Sequence, residues 1–88
     1  MNREGNTLKG AERRMFNYEI LESYAVLSNY LGITKEFNLI DYGTKEPLFD
    51  IRRWDRNPTA ERKMLKGITL NRREMKILRD EINKLNLD

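Results

Sequence analysis

The stretch "FDIRRWD", Phe49–Asp55, decides how this chain folds. Its apolar residues Phe49 and Ile51 stand two apart, and so do Asp50, Arg52 and Trp54, the only tryptophan. A period of two marks a β-strand, whose successive side chains point to opposite faces of a sheet. One face of this strand is therefore apolar. The other sets an arginine beside the tryptophan: burying that face leaves a charge to be paired, and exposing it leaves a large ring in water.

Upstream, "TKEFNLIDY", Thr34–Tyr42, repeats the alternation. Phe37 and Leu39 face one way, while Glu36, Asn38, Ile40 and Tyr42 face the other. "GTKEP" joins the two strands as a hairpin punctuated by Gly43 and Pro47. Earlier still, "FNYEILESYAVLS", Phe16–Ser28, alternates with a break near Glu22 and Ser23, as a long strand with a bend or bulge would. "NYLGI" turns through Gly32. Downstream, "RNPTAERK" is a polar loop around Pro58, and "KGITL", Lys66–Leu70, is a short fourth strand.

The chain closes with a helix. Asn71 suits the N-cap and Glu74 the third helical position, which together make a capping box. Met75, Leu78, Ile82 and Leu85 recur at helical spacing as one apolar stripe. Ile77 lies off that stripe and Leu87 trails behind it, a pattern that fits a second contact, a dimer interface with another copy, and equally an isolated exposed isoleucine. The expected fold is α+β: a four-stranded antiparallel twisted sheet followed by one C-terminal amphipathic helix (ββββα). Phe37, Leu39, Phe49 and Ile51 would take the helix stripe. Residues 1–15 are polar, with bases Arg3, Lys9, Arg13 and Arg14, and read as a flexible basic arm before a single domain, 16–88.

At 88 residues the chain fits one domain. Such a length buries only about 60% of its unfolded surface and often leans on a partner subunit. It has no cysteine and no histidine, which excludes thiol nucleophiles, imidazole bases and most transition-metal sites. Glu36, Asp41, Asp50 and Asp55 are not grouped as an acid–base pair or a cation site would require, and Ser23 and Ser28 have no base in sight. The expectation is a protein that is not an enzyme and carries no cofactor and no metal. No apolar run reaches the ~18 residues of a membrane span, and "MNREGNTLKG" lacks a signal-peptide block, so a cytoplasmic, non-membrane protein is expected. A formal net charge of +3 permits a polyanionic partner without requiring one.

The second sheet face suits unstacked bases. Rings stack on bases at roughly 1–3 kcal/mol each while Arg and Lys hold the backbone. Tyr42 and Trp54 could bracket a groove, with Arg52 beside them, Lys45, Lys63 and Lys66 at its rim, and Lys35 on the second strand. Duplex DNA hides its bases, so such a face prefers single strands. The same pattern also fits a plainer role, in which Tyr42 and Trp54 cover a second small core or a dimer interface. Asp50 is then an ion-pair partner of Arg52, or a brace that aims the guanidinium at phosphate.

"FDIRRWD" followed by "KGITLNRREMKIL" resembles the positive cofactor four family of transcriptional coactivators. "TKEFNLIDYG" ahead of "DIRRWD" resembles most its bacterial YdbC-like branch. The resemblance covers about Phe16 to Leu85. It implies the same strand and helix order, a homodimer, and binding of single-stranded DNA with little sequence preference. Transcription regulation, or the handling of exposed strands in replication and repair, would be the role, with the transcription machinery as a further partner. Family aromatics fall on Tyr42 and Trp54, the family arginine on Arg52, its basic pair near Lys63 and Lys66, and a hairpin lysine on Lys45. Asn38 would bond a base edge or a sugar. Met75 stands where family members carry a tryptophan, and the serine-rich arm of the eukaryotic proteins has no counterpart here. RNA on the same face, or a protein-interaction module anchored by Trp54, are the alternatives.

Overall fold

A computed structural model describes residues 17–88; the expected basic arm, 1–15, lies outside the described residues. Strands β1 (Glu19–Tyr30), β2 (Ile33–Asp41), β3 (Leu48–Asp55) and β4 (Met64–Leu70) form one antiparallel sheet in the order β1-β2-β3-β4, and helix α1 (Arg72–Ile82) follows. The fold is therefore the expected α+β, ββββα arrangement. β3 coincides with its sequence reading, whereas β4 begins at Met64 rather than Lys66. β1 carries register shifts at Ile20/Glu22, Ser23/Ala25 and Val26/Ser28 where one bend was expected. Each adds twist and bends the strand, which is why alternation blurs along "ILESYAVLS".

Local chemistry sets the joints. The β1–β2 turn has Leu31 at φ 54° and Gly32 at φ 85°, the left-handed pair a tight two-residue hairpin needs. Asn57 Nδ2 donates to Leu31 O, and the Arg56 amide donates to Gly32 O at 2.8 Å, so the β3–β4 loop is tied to this turn. Gly67 of β4 pairs with Arg52, and a Cβ there would lie 1.9 Å from the Arg52 Cβ. The capping box is present: Glu74 N donates to Asn71 Oδ1, and Asn71 N to Glu74 Oε1, both at 2.8 Å. α1 ends at Ile82, so Leu85 of the stripe lies past it.

The alternation assigns side chains to faces correctly, but burial is the reverse of expectation. Phe37, Leu39, Phe49 and Ile51 are only half-buried. Asn38, Ile40, Asp50 and Trp54, on the opposite face, are inaccessible to within 1%. The reason lies in the shapes of sheet and helix. α1 is 11 residues long, has no fully buried side chain and meets only β3 and β4. It cannot cover the apolar face. Meanwhile the sheet curls around its polar face. The Tyr18 ring lies 6.5 Å from that of Tyr42 and 5.7 Å from that of Trp54. Trp54 pairs with Thr34, eight residues from Tyr42 and about 26 Å away on a flat strand. One tyrosine can meet both only if the sheet coils, as twist and bulges permit. The polar face is concave and closed. On the convex face, Tyr24, Phe37 and Phe49 form an aromatic cluster at centroid distances of 4.8, 6.2 and 6.4 Å, with Arg72 over Phe49.

Candidate functional site

Two hydrogen-bonded groups fill the concave interior. In the first, Asp50 is the hub. Tyr42 Oη donates to Asp50 Oδ2 at 2.6 Å, Arg52 Nε to Oδ1 at 2.7 Å and Arg52 Nη2 to Oδ2 at 2.7 Å. Arg52 Nη1 donates to Leu65 O at 2.9 Å, and the arginine side chain is 13% exposed. Burial, then the bond to Asp50, push the Tyr42 hydroxyl well above the usual phenol range. The bond to Asp50 likewise raises the Arg52 guanidinium against the burial that lowers it. Asp50 is thus an ion-pair partner and a structural centre at once.

In the second group, Glu36 accepts from Arg56 Nε at 2.9 Å, Arg56 Nη2 at 2.6 Å and Asn38 Nδ2 at 3.5 Å, and from Thr34 Oγ1. The Arg56 bond, helped by Thr34 and Asn38, holds the Glu36 carboxyl at about 2 although burial pushes it up. The same guanidinium sits 4.7 Å above the Trp54 ring. Asn38 Oδ1 and Trp54 Nε1 have no hydrogen-bond partner among the described residues.

The sequence-derived candidates separate in space. Asn38, Tyr42, Arg52 and Trp54 do share one face, yet Trp54 and Asn38 are interior and Arg52 is internally neutralised. The expectation of an open stacking platform is corrected: curvature closes the face that alternation defines. Lys63 lies on the β3–β4 loop, where its Nζ donates to Asn57 O. Lys45 sits on the β2–β3 hairpin at the other end of the strands. Lys35 and Lys66 project from the convex face, opposite Trp54. Ile77 and Leu87, expected at a dimer contact, are both well exposed.

Two residues, Tyr18 and Arg56, were not among the sequence-derived candidates. Tyr18 is 36% exposed and leans on the buried Trp54 ring and the half-buried Tyr42 ring. It opens onto a cleft of about 550 Å³ lined with Glu61, Arg62, Lys63 and Met64. Arg56 closes the interior beside it. Tyr18 stands two before Ile20, which pairs with Ile40, and Arg56 two beyond Trp54, so both continue the even-numbered face. That signal was present in the alternation. Among the described residues no cluster of three or more Asp, Glu, Cys or His could hold a metal ion, and no helix is long and apolar enough to cross a membrane.

Fold and site together define a small α+β protein whose single sheet curls over a buried polar network, with a basic, aromatic-floored cleft at its mouth. No family model matches the chain. It is 35% identical over 74 residues to an uncharacterized protein of Treponema pallidum (strain Nichols), a match that spans 83% of this chain and 84% of that one. The chain belongs to the same family as that protein.

Proposed function

We propose that this chain binds single-stranded nucleic acid, DNA foremost, with little sequence preference. The observation that carries the reading is Tyr18: a part-exposed ring, backed by two other aromatics, in a cleft flanked by Arg62 and Lys63. A ring so held offers a stacking surface at little ordering cost, and neighbouring cations hold the backbone. Only an unstacked base can reach it, which favours single strands over duplex. Stacking thereby moves from Trp54 to Tyr18, Lys63 keeps its role, and Tyr42, Arg52 and Asn38 become the support beneath. The observed element order is the one implied by the positive cofactor four resemblance, which supports the reading. Transcription regulation or the handling of exposed strands are the roles that fit.

The acting species is a homodimer. Leu21, Val26, Leu27, Ile68, Ile77 and Ile82 are all exposed, and no helix residue is fully buried, so one copy leaves much apolar surface in water. Sedimentation of the full chain should report twice the monomer mass, and Ile77→Asp should shift it toward monomer.

Fluorescence anisotropy of labelled oligothymidylate, its RNA equivalent and a duplex, each at two salt concentrations, tests the binding. Single strands should bind more tightly than duplex. For about three phosphate contacts at the cleft alone, as with a short strand, log K should fall with log salt at a slope near −2. Tyr18→Ala should weaken binding roughly 5- to 100-fold. An RNA preference would move the ligand class from DNA to RNA. Salt-insensitive or undetectable binding would sink the proposal.

A further inference from the structure

On the convex face, cations from three neighbouring strands stand in one row. Lys35 of β2 pairs directly with Arg53 of β3. Lys66 of β4 lies two residues before Ile68, which pairs with Ile51 on this same face, and it reaches the irregularity that opposes Arg53. Adjacent strands run about 4.8 Å apart, so these charges are close neighbours. All three side chains are exposed, and among the described residues none of them forms an ion pair. Asp55 shares their face, but its Oδ1 accepts from Asn57 N at 3.1 Å and from Asn57 Nδ2 at 2.7 Å. Glu36, Lys35's neighbour in sequence, points into the concave interior and is held by Arg56.

Like charges set directly opposite each other destabilise a sheet. Folding alone gives no reason for the row; an anionic ligand does. A groove of about 300 Å³ adjoins it, lined by Ser28, Tyr30, Ile33, Thr34, Lys35 and Arg53. Ser28 pairs with Lys35 across β1–β2 and adds a hydroxyl donor. The Tyr30 ring is 75% exposed. Cations, a hydroxyl and a free ring together match a phosphodiester with its attached base.

We infer that the convex row is a second backbone-binding track. Lys35, Arg53 and Lys66 neutralise phosphates of the strand, and a base rests on Tyr30. The inference rests on the single-strand reading above and extends it. A strand engaged at the Tyr18 cleft continues around the end of the sheet, where the β3–β4 loop is tied to the β1–β2 turn through Arg56 N and Gly32 O.

The test compares the full chain with the triple variant Lys35→Gln/Arg53→Gln/Lys66→Gln, using oligothymidylates of about six and about 20 nucleotides. With the long strand, the variant should lose about tenfold or more in affinity, and its salt slope should become shallower by roughly 2. The short strand, accommodated by the cleft, should bind both proteins alike. Without nucleic acid, the variant's thermal midpoint should rise at low salt as repulsion across the strands is relieved. If the long strand binds the variant with unchanged affinity and slope, the track is refuted while the cleft stands. A lowered midpoint would equally refute the claim that the row lacks a counter-charge. If the unmodified chain binds neither strand, both proposals fail.

Discussion

The Arg56 guanidinium lies 4.7 Å above the Trp54 indole while its Nε and Nη2 hold the two carboxylate oxygens of Glu36. Arg56 is thereby the stopper of the concave interior. A cation over an indole contributes about 0.5–2 kcal/mol, and the forked bond to carboxylate fixes the guanidinium plane. This contact explains how a tryptophan near the end of a strand becomes wholly buried.

Trp54 should accordingly emit as a buried indole and resist quenching by iodide. Arg56→Ala should red-shift the emission, admit the quencher and cost roughly 1–3 kcal/mol, because it also strips Glu36 of its partner. Arg56→Lys keeps the charge but loses the plane and the fork, so it should fall between. An unchanged spectrum in Arg56→Ala would remove the stopper role.

Acid should weaken the fold through Glu36. Its carboxyl ionises at about 2 when folded, below the ordinary value of 4.5, because Arg56 favours the charged form. A depressed carboxyl stabilises the fold fully above the unfolded value, and that contribution is lost as pH falls from about 4.5 toward 2. The loss is on the order of 2–3 kcal/mol. Urea titrations at pH 7, 4 and 3 should show the decline, and Glu36→Gln should be less stable at pH 7 with a flatter acid limb. Parallel pH profiles for the two proteins would contradict the assignment.

Leu31 occupies the left-handed region at φ 54° although its side chain is 77% exposed. Leucine is poorly suited to that conformation, which asparagine adopts more readily. Leu31→Asn completes an Asn-Gly hairpin turn and should stabilise the protein by about 1 kcal/mol, raising the thermal midpoint by roughly 4–8 °C. A lower midpoint would show that Leu31 makes a contact worth more than the turn.

Gly67→Ala should do the opposite. The added methyl meets the Arg52 Cβ at 1.9 Å, and Arg52 Cα and Ile51 O at 2.5 Å, so backbone must move. The cost should be about 1–3 kcal/mol or more, with β3 and β4 separating where Arg52 Nη1 reaches Leu65 O. Amide exchange along Met64–Leu70 should accelerate. Unaltered protection there would mean that the strands yield more easily than their spacing indicates.

Much of this was legible in the residues. "FDIRRWD" and "TKEFNLIDY" put Phe37, Leu39, Phe49 and Ile51 on one face and Glu36, Asn38, Ile40, Asp50, Arg52 and Trp54 on the other, as observed, because sidedness depends only on the two-residue repeat. "NRRE" encodes the capping box within four residues. The candidate site was legible only in part. Lys35 and Lys66 were grouped with Trp54 by charge, whereas register places them on the other face. Tyr18 and Arg56 fall just outside β1 and β3, and although the alternation extends to both, only the curled sheet brings them onto Trp54.

By itself, then, the sequence determined the local facts: four strands, their two faces, the turns and the capped helix, all governed by contacts between near neighbours along the chain or across one hairpin. Which face lies inside was decided only by the tertiary structure. Curvature sums over four strands and several register shifts, and closure depends on Tyr18, just before β1, and Arg56, just after β3, meeting across the sheet. A short helix that meets only β3 and β4 leaves the apolar side half-open, so burial falls on Asp50, Asn38 and Trp54, where hydrogen bonds and an ion pair make a polar interior tolerable.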